Sequence, residues 1–242
     1  MDLAGRVAIV TGGGTGLGAE VCRQLAGAGA RVCVNFSRSA PAARELAASL
    51  GGPSAAIAVR ADVRDEAEVA AMIASAEAAF GAPVDLLVNN AGVTTYAPAD
   101  DLGAISTRDW EQILGVNVIG AWHCTKAVAG GMRARGAGAV VNVASDAAIL
   151  LEGSSVPYVV SKVALVALTR TLARALAPAV RVNAVAPGWM DTPWLDRYVP
   201  TEVAASLRRG DEPVVPVDAV AREVLRLLAD DDASGQVVQL SE

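Results

Sequence analysis

Short runs of β-branched and aliphatic residues alternate along the chain with longer Ala-rich stretches whose apolar positions recur every three to four residues. Val7–Val10 is the first such run, and a helix from about Leu17 to Ala28 follows it. Further strands are predicted at Arg31–Asn35, Ala56–Arg60, Asp85–Asn89, Ala139–Ala144, Val180–Ala186 and Gln236–Leu240, with a helix-length segment between most of them. Helices are also predicted from near Thr107 and over about Pro157–Ala177. Strands that read as continuous apolar runs and are joined by crossovers belong in a parallel sheet covered on both faces. The prediction is an α/β fold with a doubly wound, seven-stranded parallel sheet. No linker or shift in composition divides the chain, so residues 1–242 are expected to form one domain. Residues 189–216, rich in Pro, Trp and charge, break the rhythm and read as a substrate loop or lid.

Composition narrows the function classes. With 53% apolar and 19% charged residues the chain is not disordered. Twenty basic against 26 acidic side chains give a net charge of −6, so the basic footprint of a nucleic-acid binder is missing. No apolar run reaches the ~18 uninterrupted residues of a membrane span, and Met1–Arg6 does not lead into a secretory signal. A cytoplasmic protein without nucleic-acid or membrane partners is therefore expected. Cys22, Cys33 and Cys124 sit among apolar neighbours and read as buried, reduced thiols. The single histidine, His123, lies in a helix-like run and reads as structural, so no metal site is expected.

The first strand runs straight into Thr11-Gly12-Gly13-Gly14-Thr15-Gly16-Leu17-Gly18. Glycines there let backbone approach a pyrophosphate, and the next helix presents its positive end. The loop has no lysine, which excludes the phosphate loop of NTPases. A dinucleotide in a Rossmann-like fold is the expected occupant. The densest chemistry lies downstream, in Tyr158-Val159-Val160-Ser161-Lys162 with Ser145 thirteen residues earlier. Tyr158 and Lys162 at i, i+4 share one helix face. The chain has only two lysines and three tyrosines, so chance supplies this triple about once in a thousand such sequences. An ammonium held against a phenol is expected to lower its pKa from about 10 toward neutrality.

These motifs resemble the short-chain dehydrogenase/reductase family in its single-domain branch. Gly12, Gly16 and Gly18 match its TGxxxGxG turn; Asn89, Asn90, Ala91 and Gly92 match its NNAG motif; Asp62 and Val63 match its adenine-contacting pair. Pro187, Gly188 and Thr192 match the segment that holds the nicotinamide carboxamide. The resemblance implies Tyr158 as general acid and base, Ser145 as hydrogen-bond partner of the substrate oxygen, and Lys162 on the nicotinamide ribose. It also implies Asn117 as a fourth catalytic residue, on a distorted helix, positioning a water in a proton relay. Thr15 and Leu17 join the cofactor set as members of the glycine turn.

No acid stands at the end of the second strand to bond a ribose 2′-hydroxyl; the chain has Ser37 and Arg38 there, which favours NADP over NAD. The reaction expected is hydride transfer between NADP(H) and a carbonyl compound or secondary alcohol. Thr94, Thr95, Tyr96, Ile149, Leu150, Leu151, Trp189, Trp194 and Tyr198 flank the motifs, and their apolar and aromatic character points to a hydrophobic substrate. The alternatives are a non-catalytic NADP-binding sensor or scaffold, and an epimerase or dehydratase on the same fold. The helix over 157–177 carries few charges and needs cover on more than one side, and the resemblance implies pairing through it, so a homo-oligomer, dimer or tetramer, is expected.

Overall fold

The computed structural model describes residues 1–241. Seven strands, β1 (Val7–Val10), β2 (Arg31–Phe36), β3 (Ala56–Arg60), β4 (Leu86–Asn89), β5 (Ala139–Val143), β6 (Arg181–Pro187) and β7 (Val237–Leu240), form one parallel sheet in the order β3-β2-β1-β4-β5-β6-β7. The helices between them are α1 (Gly16–Gly27), α2 (Ala40–Ser49), α3 (Glu66–Phe80), α4 (Thr107–Leu114), α5 (Ala121–Arg135), α6 (Ala147–Leu150) and α7 (Val156–Leu176). After β6 come α8 (Pro193–Tyr198), α9 (Thr201–Arg209) and α10 (Val217–Ala229). Every predicted strand is present, with ends differing by a residue or two.

The two faces of the sheet fill two apolar layers, and strand alternation sorts the residues between them. Ala8, Val10, Val32, Val34, Leu86 and Val88 pack with α1, α2 and α10. Val7, Ile9, Cys33, Leu87, Val140 and Val182 pack with α3, α5 and the C-terminal half of α7. Cys22, Cys33 and Cys124 are free and buried, and burial pushes the Cys33 and Cys124 thiols up to about 12. They therefore remain inert thiols at neutral pH.

Helix α7 has 21 residues and is apolar enough to cross a membrane by length alone, yet its inner face carries the buried polar residues Ser161, Lys162 and Thr169. Thr169 accepts a hydrogen bond from Asn142 of β5 at 2.8 Å, which ties α7 to the sheet. The segment 189–216 contains no strand, as expected, but it is not a plain loop. Pro193 starts α8 and Pro200 precedes α9, and Leu195, Val199, Ala204 and Leu207 form a small core of their own. Proline at a first helical turn loses no backbone hydrogen bond, so prolines that read as loop punctuation here mark helix starts.

Candidate active site

The switch in strand order lies between β1 and β4, and open α/β sheets bind ligands at such a point, beyond the strands' carboxyl ends. A cavity of about 810 Å³ runs there, and residues following each of the seven strands line it. That volume lies within the range of small-molecule and cofactor sites.

After β1 the chain turns with Gly12 at φ +61° and Gly16 at φ +54°, values that only glycine adopts without strain. Thr15 precedes α1 in extended conformation and its side chain does not cap the helix, so the first-turn amides of α1 keep their bonding capacity. Gly18 is needed for another reason: a Cβ there would lie 2.5 Å from the Gly12 carbonyl oxygen and 2.5 Å from Asn90 Nδ2. Three polar side chains hold the turn. Thr11 Oγ1 accepts from the Asn90 and Ala91 amides at 3.0 Å each. Asn90 Nδ2 donates to the Thr11 and Gly12 carbonyls at 2.9 and 3.1 Å. Asn35, buried in β2, accepts from Gly12 N at 3.2 Å while donating to the Val59 and Ala61 carbonyls of the next strand and its exit.

Sixteen of the sequence-predicted residues line the cavity. Gly12, Thr15, Gly16, Leu17, Ser37, Arg38, Asp62, Val63, Ala91 and Gly92 border one part; Ser145, Tyr158, Lys162, Pro187, Gly188 and Thr192 border the other. Three predicted residues lie outside its wall. Gly18 packs behind the turn as described. Asn89 points into the core, donating to Asn142 Oδ1 at 2.9 Å and Thr125 Oγ1 at 3.1 Å. Asn117 is buried on a π-helical turn, Gly115–Gly120, between α4 and α5. Gly120 lets that turn pack closely on Val63, because a Cβ on it would stand 2.5 Å from Val63 Cγ2. Asn117 accepts from Val93 N at 2.9 Å and donates to Val93 O at 3.0 Å and Ser161 Oγ at 2.9 Å. Its amide is thus used to bind the strand-β4 loop to α7.

Among the apolar candidates, Tyr96, Leu150, Trp189, Trp194 and Tyr198 line the cavity. Thr94 is buried against Ser154 at 2.6 Å, Thr95 donates to Asp109 at 2.8 Å, and Ile149 and Leu151 are exposed away from the cavity wall. His123 is also off the wall, its Nδ1 3.1 Å from the Val63 carbonyl. Sequence reasoning misses the part that the Asn35, Asn90 and Thr11 side chains play in holding the turn. Asn35 has a legible signal, a lone amide in the otherwise apolar run Val32–Phe36.

The reacting end has an electrostatic character that spacing alone misjudges. Lys162 Nζ lies 5.5 Å from the centre of the Tyr158 ring and donates to the Val143 carbonyl at 2.8 Å. The expected downward shift of Tyr158 is not what the structure gives. Burial pushes the phenol up to about 12, with the Ser145 hydroxyl opposing the rise and the Asp146 carboxylate adding to it. The reason is position and dielectric: the ammonium is over the ring rather than at the hydroxyl, and a buried phenolate loses more hydration than it regains. Burial also drops Lys162 to about 8. Ser145 Oγ donates to Asp146 Oδ1 at 3.1 Å and accepts from Ala147 N at 3.2 Å, and burial raises Asp146 from the ordinary carboxylate range. A phenol that holds its proton across the neutral range is an acid available for donation.

Known proteins give the same picture. The short chain dehydrogenase family model matches residues 6–202. The chain is 42% identical over 239 residues to the protein named as ketoacyl reductase 2 of the granaticin polyketide synthase of Streptomyces violaceoruber, covering 96% of this chain and 93% of that one. It is 37% identical over 238 residues to cis-4-hydroxycyclohexanecarboxylate dehydrogenase of Sinomonas cyclohexanicum, covering 96% and 92%. The crystal structure of 3-ketoacyl-(acyl-carrier-protein) reductase from Brucella melitensis, complexed with NADH, superposes with a TM-score of 0.87 at 30% identity over 98% of this chain and 97% of that one. With its parallel sheet, glycine turn and Ser145, Tyr158 and Lys162 gathered on one cavity, the chain belongs to the short-chain dehydrogenase/reductase family of NAD(P)-dependent oxidoreductases.

Proposed function

We propose that the chain is an NADP(H)-dependent ketoreductase of hydrophobic carbonyl compounds, working in reverse as a secondary-alcohol dehydrogenase. The observation that carries this reading is the continuity of one cavity from the glycine turn and Arg38 to Ser145, Tyr158 and Lys162. The uncapped N-terminus of α1 suits a pyrophosphate at Thr15, Gly16 and Leu17. Pro187, Gly188 and Thr192 border the cavity where a nicotinamide carboxamide needs backbone and hydroxyl partners. A reduced nicotinamide bound there supplies a hydride to the carbonyl carbon.

The remaining work falls to this chain's own groups. Tyr158 donates its phenolic proton to the carbonyl oxygen, and Ser145 hydrogen-bonds the same oxygen as it gains charge. Lys162 has three N–H groups and gives one to Val143, which leaves others for a ribose hydroxyl. Asn117 positions Val93 and Ser161 from behind the wall; because its amide is spent on them, any water it orders meets its main chain, where a π turn loosens the carbonyl ladder. Residues 189–216 serve as the substrate lid of one domain spanning the chain.

The 2′-phosphate reading rests on charge around the end of β2. Asp62 is held by Arg64, Nη2 to Oδ2 at 2.6 Å, and the Arg64 hydrogen bonds and the nearby Arg38 charge keep its carboxyl below the ordinary range. Two arginines against one carboxylate leave a net positive corner. NADPH is expected to bind at least about tenfold more tightly than NADH, and Arg38→Asp to reverse the order, since charge-assisted hydrogen bonds are worth about 1.5–3 kcal/mol. Fluorescence titration of both cofactors measures this; tighter NADH binding by the unaltered chain would remove the NADP assignment. NADH in the Brucella neighbour makes NAD(H) the competing outcome.

On the outer side of α7, Val156, Val160 and Val163 are 38%, 42% and 39% exposed, and Ile119 and Trp122 of the adjoining π turn and α5 are 47% and 44% exposed. Large apolar side chains at helical spacing support a homo-oligomer through this face. Sedimentation at micromolar concentration is expected to give a dimer or tetramer, and a stable monomer would contradict it.

A further inference from the structure

Past Tyr158 the cavity is walled by rings. The Trp194 ring centre lies 6.2 Å from that of Tyr158 at an interplanar angle of 52°, and 4.5 Å from that of Tyr198 at 53°. Both contacts are tilted rather than stacked, and the indole, half-buried, borders the cavity. The benzo edge lies against bare backbone: a Cβ built on Gly92 would stand 3.7 Å from both Cζ3 and Cη2. The indole is also firmly anchored. The backbone amide of Trp194 donates to Thr192 Oγ1 at 3.3 Å, which caps α8, and the next residue, Leu195, is fully buried in the small core of α8 and α9.

Two other large side chains line the cavity while remaining open, Leu150 at 55% exposure and Tyr96 at 39%. A lone exposed leucine is unremarkable, but two such groups in a cavity with an aromatic wall form a binding surface. The charged residues at this end, Glu152, Arg197 and Glu212, are all exposed, whereas Trp194 and Tyr198 are half-buried. Beyond Asp146 and Lys162 at the reacting end, charge here belongs to the rim, and the wall past Tyr158 is mainly apolar and aromatic.

We propose that this end of the cavity selects a flat cyclic ketone, its carbonyl at Tyr158 and its ring system against the Trp194 indole, with Trp194 the residue that sets the specificity. The inference rests on the ketoreductase reading and deepens it. A planar ring gains aromatic contact with the indole and has no internal rotors to freeze, whereas a flexible chain of equal carbon count loses rotational freedom along its length.

The test compares two ten-carbon ketones, the bicyclic 1-tetralone and the open-chain 2-decanone, by NADPH consumption. The unaltered enzyme is expected to favour the bicyclic ketone in kcat/KM by about tenfold. Trp194→Leu is expected to shrink that ratio by about tenfold, chiefly by weakening the binding of the bicyclic ketone and so raising its KM, and Trp194→Phe to restore most of it. A preference for the open-chain ketone, or a ratio unmoved by Trp194→Leu, would overturn the inference while leaving the ketoreductase reading intact, because NADPH is still consumed. Consumption of the tighter-binding cofactor with neither ketone also overturns it, and failure of both NADPH and NADH to bind in a separate titration would take the ketoreductase reading with it.

Discussion

Tyr158→Phe is expected to lower carbonyl reduction by about a thousandfold while leaving NADPH affinity within about twofold, as measured by steady-state rates and fluorescence titration. The ring keeps its neighbours in the variant, Lys162 Nζ at 5.5 Å and the Trp194 indole at 6.2 Å from its centre, so the fold has no reason to change. What disappears is the phenol that stands with Ser145 and Lys162 at the reacting end of the cavity. Ser145 can turn its hydroxyl from Asp146 to hydrogen-bond the substrate oxygen, but it cannot replace the proton donor, because an aliphatic alcohol is a far weaker acid than a phenol. Lys162 donates a hydrogen bond to the Val143 carbonyl and lies over the ring rather than at its hydroxyl. With the phenol pushed up to about 12, reduction finds Tyr158 protonated throughout the neutral range. Alcohol oxidation needs the phenolate, so its rate should climb with pH from neutral upward while reduction does not. Retention of a tenth or more of the reductive turnover in Tyr158→Phe would remove Tyr158 as the proton donor. It would also revive the reading of the chain as a sensor that binds cofactor without turning it over.

How much of the fold and the site is legible in the amino-acid sequence depends on the kind of signal. Parallel strands buried on both faces must be apolar along their length, so Val7–Val10 and Ala139–Val143 stand out, as does the alternation that implies crossovers. The Tyr158 and Lys162 spacing is legible because helix geometry fixes which residues share a face. Spacing carries no information about dielectric, which is why the same pair suggests the wrong direction for the phenol. Burial is a property of everything packed around Tyr158, including Trp194, thirty-six residues farther on in the sequence. Asn117 stands out as an oddity within a helix, yet its partners Val93 and Ser161 lie on other elements and no local pattern names them. Helices α8 and α9 escape sequence reasoning because they are short, begin next to proline, and bury only a few side chains each.

Lys162→Met is expected to separate stability from activity, lowering turnover at least about a hundredfold while making the folded chain more stable by roughly 1–2 kcal/mol at pH 7. The ammonium is buried with a single acceptor, the Val143 carbonyl, and no carboxylate pairs with it among the described residues. Burial takes its pKa from 10.5 to about 8, and each unit of displacement corresponds to about 1.4 kcal/mol of folding free energy. Methionine matches the volume and removes the buried charge, but it leaves the Val143 carbonyl without its donor, which offsets part of the gain. The pH dependence fixes the sign. Below pH 8 both folded and unfolded chains carry the proton and the full cost is present; between about 8 and 10.5 the unfolded chain binds the proton more tightly, so the destabilising contribution of Lys162 fades as pH rises, whatever the buried thiols common to both proteins do. The advantage of Lys162→Met should therefore be greatest at neutral pH and shrink toward pH 10, in urea midpoints followed across that range. A variant less stable than the parent at pH 7, or an advantage constant with pH, would mean that the lysine is not held as a buried, uncompensated charge. Lys162 then would owe its position to packing, and the electrostatic account of why this site keeps a lysine would fail with it.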